Sequence, residues 1–236
     1  MERPEALIFD VFGTVVDWRT GVANEVARAF SGKAGSVDPW AFADAWRAQY
    51  QPGMAEIRSG RRGYVALDLL HRENLERTLA NFSLAGMLDE SEKEALNHAW
   101  EKLPPWPDTV SGLTRLGRHF LVAACSNGSI ALMSRLARYA GLPWHAILGA
   151  EIAGAYKPQP AVYLKSCAAL ALPPDRVMMV AAHNDDLRAA AACGLKTAFV
   201  ARPTEHGRSQ KSDLAPEGEW DIVADDFENL SEKLMG

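Results

Sequence analysis

Four short stretches of polar residues stand where predicted buried strands end. Asp10 follows the apolar run 6–9, and Ser126 with Asn127 follows the run 120–125. Lys157 lies in a Tyr-Lys-Pro loop, and Asp186 comes shortly after the run 177–182. A carboxylate, a hydroxyl and amide pair, an ammonium and a second carboxylate could support nucleophilic chemistry if they meet. Each of them alone could equally cap a turn or face solvent, so the prediction depends on the whole set.

The elements around these stretches predict a parallel sheet. Predicted strands cover 6–9, 120–125, 146–148, 177–182, 197–200 and 221–223, and predicted helices cover 129–139, 160–170 and 184–193. This alternation is typical of βαβ units and predicts an α/β fold. Ligands of open parallel sheets bind at the carboxyl edge, where the four polar stretches would converge.

The segment from residue 17 to residue 104 differs from the rest because it shows no convincing strand pattern. Val22, Val26 and Phe30 recur at helical spacing, and Pro39 suits the first turn of another helix. The proline-rich run 104–107 ends the segment, since prolines favour extended neighbours. An insertion directly after the first strand falls at the carboxyl edge of the sheet, so we expect a helical cap over the site.

Composition limits the classes of function. The chain has 236 residues, of which 48% are hydrophobic, and this balance suits a globular protein rather than a disordered or fibrous one. A net charge of −5 without a Lys/Arg cluster argues against a nucleic-acid partner. No apolar run approaches the ~18 residues of a membrane span, and no signal peptide is visible, so we expect no membrane association. Cys125, Cys167 and Cys193 lack CxxC spacing, which favours a cytoplasmic protein without disulfides or a zinc site.

The same stretches resemble the four motifs of the haloacid dehalogenase-like hydrolase superfamily. They are Phe9-Asp10-Val11-Phe12-Gly13-Thr14-Val15-Val16-Asp17, Cys125-Ser126-Asn127-Gly128, Tyr156-Lys157-Pro158 and Asn184-Asp185-Asp186. The resemblance implies a Rossmann-like parallel-sheet core over 1–16 and 105–236, with a helical cap over 17–104. It also implies that Asp10 attacks an electrophile and that water then hydrolyses the covalent intermediate.

Two departures from the phosphatases of this superfamily point to a different branch. Those phosphatases carry a second Asp two residues after the nucleophile, where this chain has Phe12, which exchanges no proton. They also hold Mg²⁺ with acidic residues of the fourth motif, whose first position is Ala182 here. A leaving halide needs no protonation, and Trp46-Arg47 is similar to the cap pair of the (S)-2-haloacid dehalogenases. This resemblance implies a small halogenated carboxylic acid as substrate, no metal or other cofactor, and a homodimer.

The resemblance also assigns roles in substrate binding. Arg47 and Asn127 would receive the departing halide as it gains charge. Ser126 and the backbone N–H groups of Val11 and Phe12 would hold the substrate carboxylate. Attack by the nucleophile on C2 would invert the configuration at this carbon once.

Further roles concern the nucleophile and its neighbours. Lys157 would keep Asp10 ionised and in place, and Thr14 would hold the geometry of the loop. Tyr163, six residues after the lysine, matches a tyrosine of the dehalogenase branch on the substrate side. Asp186 keeps the position that it has in that branch.

One part of the fourth motif departs from the dehalogenases. Where that branch has Ser and Asn, which help to position water, this chain has Ala181 and His183. His183 could replace these groups, because an imidazole exchanges protons near neutral pH. Alternatively, His183 is a loop histidine, and Asp186 with Lys157 acts on the water. The sequence leaves both interpretations open, and a smaller or fluorinated acid stays open as the substrate.

A phosphatase that uses Mg²⁺ is the main alternative function. It would bind the metal through Asp10, Asp185 and Asp186. It would have to work without the general acid that Phe12 replaces.

Two further alternatives have less support in the sequence. A phosphonate hydrolase would need a cap lysine for a Schiff base, and Lys33, Lys93 and Lys102 stand in no recognisable setting. A non-enzymatic interaction module would have no use for the nucleophile and its lysine, Asp10 and Lys157, which are both present.

Overall fold

Six parallel strands form a single sheet in the computed structural model, which describes residues 2–33 and 37–236. The strands are β1 (Ala6–Phe9), β2 (Leu121–Cys125), β3 (Ala146–Leu148), β4 (Val177–Ala181), β5 (Lys196–Val200) and β6 (Ile222–Ala224). Their order across the sheet is β3-β2-β1-β4-β5-β6. Met1 and residues 34–36, which belong to the predicted core and cap, lie outside the described residues.

The first strand lies in the middle of this sheet. β1 pairs with β2 on one side and with β4 on the other, with Phe9 opposite Ala124 and Val180. All four residues of β1 are buried, as expected of a strand that is covered on both faces. The chain positions that directly follow β1, β2 and β4 are therefore neighbours at the carboxyl edge, and they begin with Asp10, Ser126 and Ala182.

Five α-helices occupy the described part of the insertion between β1 and β2. They are α1 (Trp18–Ala29), α2 (Pro39–Ala48), α3 (Tyr50–Arg58), α4 (Leu67–Asn81) and α5 (Glu90–Asn97). Local signals start three of them: the side chains of Asp17, Asp38 and Asp89 accept hydrogen bonds from backbone N–H groups of the first turns of α1, α2 and α5. Buried side chains of the insertion and of the sheet belong to one apolar cluster, so the hydrophobic core is continuous from the sheet into the insertion.

The remaining helices cover the faces of the sheet and return the chain between strands. They are α6 (Thr109–Leu116), α7 (Ile130–Ala140), α8 (Pro160–Ala169), α9 (Asn184–Ala192) and α10 (Phe227–Met235). The predicted α/β fold with a helical insertion after the first strand is thus confirmed. None of the helices in the described ranges has both the length and the hydropathy to span a bilayer.

Predicted and observed bounds differ by about one residue. The helix predicted from residue 129 begins at Ile130, because the hydroxyl of Ser129 caps it by accepting from the N–H of Leu132. The strand predicted over 177–182 ends at Ala181, and the last strand covers Ile222–Ala224 rather than 221–223. Such shifts are ordinary at element ends and leave the polar stretches at the predicted edge.

The insertion is hydrogen-bonded to the loop that carries Lys157. Nη1 of Arg58 donates to the carbonyl oxygen of Lys157 over 3.3 Å, and Nε2 of Gln159 donates to the carbonyl oxygen of Arg58 over 3.1 Å. The hydroxyl of Tyr156 donates to the carbonyl oxygen of Val65 over 2.5 Å. These three bonds position the lysine loop against the helices.

Candidate active site

A cavity of about 620 Å³ lies between the helical insertion and the carboxyl edge of the sheet. The residues predicted from the sequence that line it are Asp10, Phe12, Arg47, Asn127, Lys157, His183 and Asp186. The other predicted site residues, Val11, Thr14, Ser126 and Tyr163, are not part of its wall. The structure therefore brings seven of the eleven predicted site residues to one cavity, from separate strands and from the insertion.

Asp10 is held by three side chains and is only 8% exposed. Its Oδ1 accepts from Nζ of Lys157 over 2.7 Å, and its Oδ2 accepts from Oγ1 of Thr14 over 2.7 Å. Nδ1 of His183 lies 3.1 Å from the same Oδ2. Burial alone would raise the pKa of Asp10, but Lys157 and His183 lower it well below its ordinary value. Asp10 is thus a carboxylate under all ordinary conditions, as a nucleophile must be.

Thr14 connects the nucleophile loop to the neighbouring strand. Its Oγ1 donates to Asp10 and accepts from the backbone N–H of Ala182 over 2.9 Å. Since one hydroxyl serves both bonds, it links the end of β1 to the end of β4. Thr14 therefore holds the Asp10 carboxylate from behind the cavity wall.

Lys157 lies between two carboxylates. Nζ donates to Oδ1 of Asp10 over 2.7 Å and to Oδ2 of Asp186 over 2.5 Å. Burial alone would lower the pKa of Lys157, but the two carboxylates raise it well above its ordinary value. The hydroxyl of Tyr163 donates to Oδ1 of Asp186 over 2.5 Å, so both oxygens of Asp186 have a donor. Lys157 is consequently a fixed ammonium, and Tyr163 supports it through Asp186.

The second motif places two polar side chains beside this lysine. Oδ1 of Asn127 accepts from the backbone N–H of Lys157 over 2.7 Å, which leaves the amide NH₂ group of Asn127 for a ligand in the cavity. Oγ of Ser126 accepts from the N–H of Gly128 over 3.0 Å, and its own proton stays available. Both residues could therefore donate to an anion.

Arg47 is the cation that the helical insertion contributes to the cavity. Its guanidinium carbon lies 4.0 Å from the ring centre of Tyr50 and 5.4 Å from that of Trp18, so it lies between aromatic rings. Nη1 of Arg47 is buried and has no hydrogen-bond partner in the part of the chain that the structure describes. A guanidinium with a buried, unused donor is suited to bind an anion.

His183 lies between two carboxylates, one of which the sequence analysis missed. Its Nε2 lies 2.8 Å from Oε2 of Glu205, whose Oε1 accepts from Nε1 of Trp18 over 2.9 Å. Burial alone would lower the pKa of His183, but Glu205 and Asp10 raise it well above its ordinary value. Burial would raise the pKa of Glu205, which His183 instead lowers.

Glu205 carries no motif that would identify it. It follows β5, the strand next to β4, by several residues of irregular chain. The only sequence signal is an acidic residue after a strand that borders the site strand, and such a signal is weak. Gly13 leaves the room for it, since a Cβ at Gly13 would lie 2.1 Å from Oε1 of Glu205.

The residues of the alternative metal site are arranged differently from a metal centre. The side chain of Asp185 is 93% exposed and pairs with Arg188. Asp10 and Asp186 both bind the ammonium of Lys157. Within 2–33 and 37–236, no three His, Cys, Asp or Glu side chains are grouped as ligands for one metal ion.

The lysines that a phosphonate hydrolase would need lie away from the cavity. Lys33 pairs with Glu92, Lys93 pairs with Glu90, and Lys102 pairs with Glu25. None of these three lysines lines the cavity.

Comparison with known proteins agrees with this geometry. The family model of haloacid dehalogenase-like hydrolases matches residues 4–194. The chain is 27% identical over 205 residues to (S)-2-haloacid dehalogenase H-109 of Pseudomonas putida, covering 86% of this chain and 88% of the relative. The solved structure of the defluorinating L-2-haloacid dehalogenase Rha0230 is 48% identical with a TM-score of 0.97, covering 99% of this chain and 96% of the other. The solved structure of the L-2-haloacid dehalogenase PA0810 is 46% identical with a TM-score of 0.95, covering 98% of this chain and 99% of the other.

Proposed function

Because the chain belongs to the haloacid dehalogenase-like hydrolases, in their (S)-2-haloacid dehalogenase branch, we propose that it hydrolyses small (S)-2-haloacids to 2-hydroxy acids. It is a hydrolase of carbon–halide bonds, and the proposal concerns its substrate and mechanism. The reaction passes through an ester on Asp10, needs no metal ion and includes fluoroacetate among its substrates. The observation that carries the proposal is the buried Asp10 carboxylate, held by Lys157 and Thr14 beside Phe12, which has no proton to give.

In the first half-reaction, a carboxylate oxygen of Asp10 attacks C2 of the haloacid. The C–O bond forms as the carbon–halogen bond breaks, and the halide leaves with the bonding electrons from the opposite side. Asp10 is an adequate nucleophile because it is buried and fixed, so little solvent has to be displaced in the reaction. Arg47 and the amide NH₂ of Asn127 stabilise the charge that develops on the halide.

The substrate carboxylate binds on the side of the nucleophile loop. The backbone N–H groups of Val11 and Phe12 donate to no acceptor in the described part of the chain, so they are free for this role. The hydroxyl of Ser126 supplies a third donor. This arrangement keeps the carboxylate apart from the halide and orients C2 toward Asp10.

Formation of the ester changes the charges around His183. Despite burial, Glu205 and Asp10 raise the pKa of His183 in the free enzyme, so its ring is protonated there. The ester neutralises Asp10 and removes one of these two anions, which lowers the pKa of His183. The ring then loses the Nδ1 proton to solvent. It keeps the Nε2 proton, which it donates in a hydrogen bond to Glu205.

In the second half-reaction, neutral His183 takes a proton from the attacking water through Nδ1. The water oxygen bonds to the ester carbonyl carbon, the acyl C–O bond breaks, and His183 passes the proton to the alkoxide of the departing 2-hydroxy acid. The second proton of the water, left on the Asp10 carboxyl group, moves to Nδ1 of His183 and restores the ionised Asp10 of the free enzyme. The other candidate, Asp186 with Lys157, is less suited to this step. Lys157 is held as an ammonium, and both oxygens of Asp186 already accept hydrogen bonds.

The organisation of the molecule completes the proposal. The core covers 1–16 and 105–236, and the cap covers 17–104. We also propose a homodimer and a cytoplasmic location, as the resemblance and the composition lead us to expect.

A halide-release assay tests the proposed reaction. The purified protein is incubated in EDTA with fluoro-, chloro- and bromoacetate and with each enantiomer of 2-chloropropionate. We expect halide from the acetates and from the (S)-enantiomer, together with (R)-lactate from the latter. A folded protein that releases no halide from any of these acids would show the proposal to be wrong. Phosphate release from small phosphomonoesters in Mg²⁺, measured in parallel, would favour the phosphatase alternative.

A further inference from the structure

His71 is a buried histidine without a hydrogen-bond partner. It lies on α4 and is 2% exposed, and neither ring nitrogen is bonded to any group in the ranges that the structure describes. Burial, together with the charge of Arg47, lowers the pKa of His71 well below its ordinary value. The ring is therefore neutral near pH 7 and offers one N–H donor.

The ring of His71 belongs to an aromatic group beside the cavity. It stacks on Trp100 with ring centres 4.2 Å apart, and Phe12 meets it edge-on at 6.3 Å. Tyr50 lies 6.0 Å from it on another side. Phe12, Tyr50 and Arg47 all line the cavity, so His71 and Trp100 lie directly behind its wall on the side of Arg47.

Three N–H donors in this region lack a partner among the described residues. They are Nη1 of Arg47, the N–H of His71 and Nε1 of Trp100, and all are buried. Native proteins rarely bury unpaired donors, because these lose their bonds to water without replacement. N–H donors that aromatic rings shield from water suit a small anion. Such an anion accepts several N–H hydrogen bonds at once and can also contact apolar side chains.

We propose that the departing halide is received behind the cavity wall, among the N–H donors of Arg47, His71 and Trp100, and that this site favours small halides. This inference rests on the proposed dehalogenase function and extends it to the choice of leaving group. A fluoride or chloride ion concentrates its charge more than bromide, so it gains more from each additional N–H donor. The substrate carboxylate has donors of its own, at Ser126 and the nucleophile loop.

The test compares leaving groups in variants of the two donors. His71→Leu removes the imidazole donor, and Trp100→Phe removes the indole N–H but keeps a ring. In each variant, we expect kcat/KM to fall at least about tenfold more with chloroacetate than with bromoacetate, and most with fluoroacetate. His71→Asn, which restores an N–H donor, should recover much of the ratio. Leu75→Ala, another buried change on α4, should leave the ratio of chloride to bromide release unchanged.

A second measurement separates this inference from the proposed function. Chloride binding to the resting protein, followed by tryptophan fluorescence with sulfate as the control, needs no turnover. We expect His71→Leu to weaken it about tenfold. If kcat/KM falls equally for all halides, or if chloride binding is unchanged in both variants, the inference is wrong. If no acid is turned over but chloride binding depends on His71, the proposed function fails and the anion site stands.

Discussion

Nε2 of His183 lies 2.8 Å from Oε2 of Glu205, a carboxylate that is only 1% exposed. On its other side, Nδ1 of His183 lies 3.1 Å from Oδ2 of Asp10. The nucleophile and the proposed water-activating group therefore share one charge network. Conversion of Asp10 to a neutral ester removes a negative charge next to His183 and so lowers the pKa of His183, because the two side chains are in direct contact. In the proposed mechanism, this contact couples the end of the first half-reaction to the start of the second.

This coupling predicts that the ester accumulates when His183 is replaced. His183→Asn keeps a polar side chain but cannot take a proton, so hydrolysis should slow by about 10²–10⁴-fold while the first attack continues. Halide release should then show a burst of about one equivalent per active site. Mass spectrometry of the peptide with Asp10 should show the added carboxyalkyl group, which is carboxymethyl when chloroacetate is the substrate.

Glu205→Gln provides the matched change for the partner carboxylate. It retains a hydrogen-bond acceptor for His183 but loses the charge, so we expect a smaller accumulation of the same adduct. A steady-state rate that falls in His183→Asn without any burst or adduct would place His183 outside the second half-reaction.

The same contacts predict how stability depends on pH. The pKa of His183 is raised in the folded protein, so its contribution to stability is present in full below its unfolded pKa of roughly 6.5. The contribution is lost as the pH rises through the folded pKa. The free energy of unfolding of His183→Asn should therefore lie below that of the wild type by on the order of 1–2 kcal/mol near pH 6. This difference should shrink as the pH rises.

Urea unfolding between pH 5.5 and pH 9 measures this difference. Val162→Ala removes no titratable group, so its loss of stability should stay constant over the range. A difference for His183→Asn that is constant, or that grows with pH, would contradict the assigned charge state.

The parts of the site that lie at strand ends were accessible from the sequence. In a parallel sheet, the residue that follows a strand lies at the carboxyl edge, so Asp10 and the residues after β2 and β4 are placed at one edge. The alternation of strands and helices predicts a parallel sheet, but the order β3-β2-β1-β4-β5-β6 is known only from the structure. Lys157 could be added because its Tyr-Lys-Pro setting is a motif of the resembled family.

Other parts of the site depend on long-range packing and could not be predicted. Glu205 reaches His183 only because an irregular stretch after β5 turns back over the nucleophile loop. From the sequence, His71 and Trp100 are ordinary positions on the apolar faces of predicted helical segments. Their contact arises from the packing of the insertion. Helical periodicity shows that such residues are buried but not which polar atoms remain unpaired.

Gly13 provides a test of the room needed by Glu205. Its φ is +94°, and a Cβ there would lie 2.1 Å from Oε1 of Glu205. Gly13→Ala should therefore lower the free energy of unfolding by roughly 2–4 kcal/mol, through backbone strain and displacement of a buried carboxylate. It should also slow ester hydrolysis, because the carboxylate that holds His183 has to move.

Gly32→Ala is the control for the backbone contribution. Gly32 has a φ of +76°, and nothing lies within 4 Å of a Cβ at that position. Its substitution should cost about 1 kcal/mol from the backbone alone. Chemical denaturation of both variants measures how much each substitution lowers the free energy of unfolding. Equal losses would show that Gly13 is needed only for its backbone conformation and not to leave room for Glu205.

Asp10→Asn distinguishes the proposed nucleophile from the alternative metal function. The amide removes the attacking charge, so we expect halide release to fall by about 10³-fold or more, with no covalent adduct in mass spectrometry. Asp185→Asn is the matched change on a neighbouring carboxylate. Because the side chain of Asp185 is exposed and paired with Arg188, halide release should stay within about twofold of the wild type. If Asp185→Asn instead removed activity and added Mg²⁺ restored it, the three-carboxylate metal site would be the better account of this pocket.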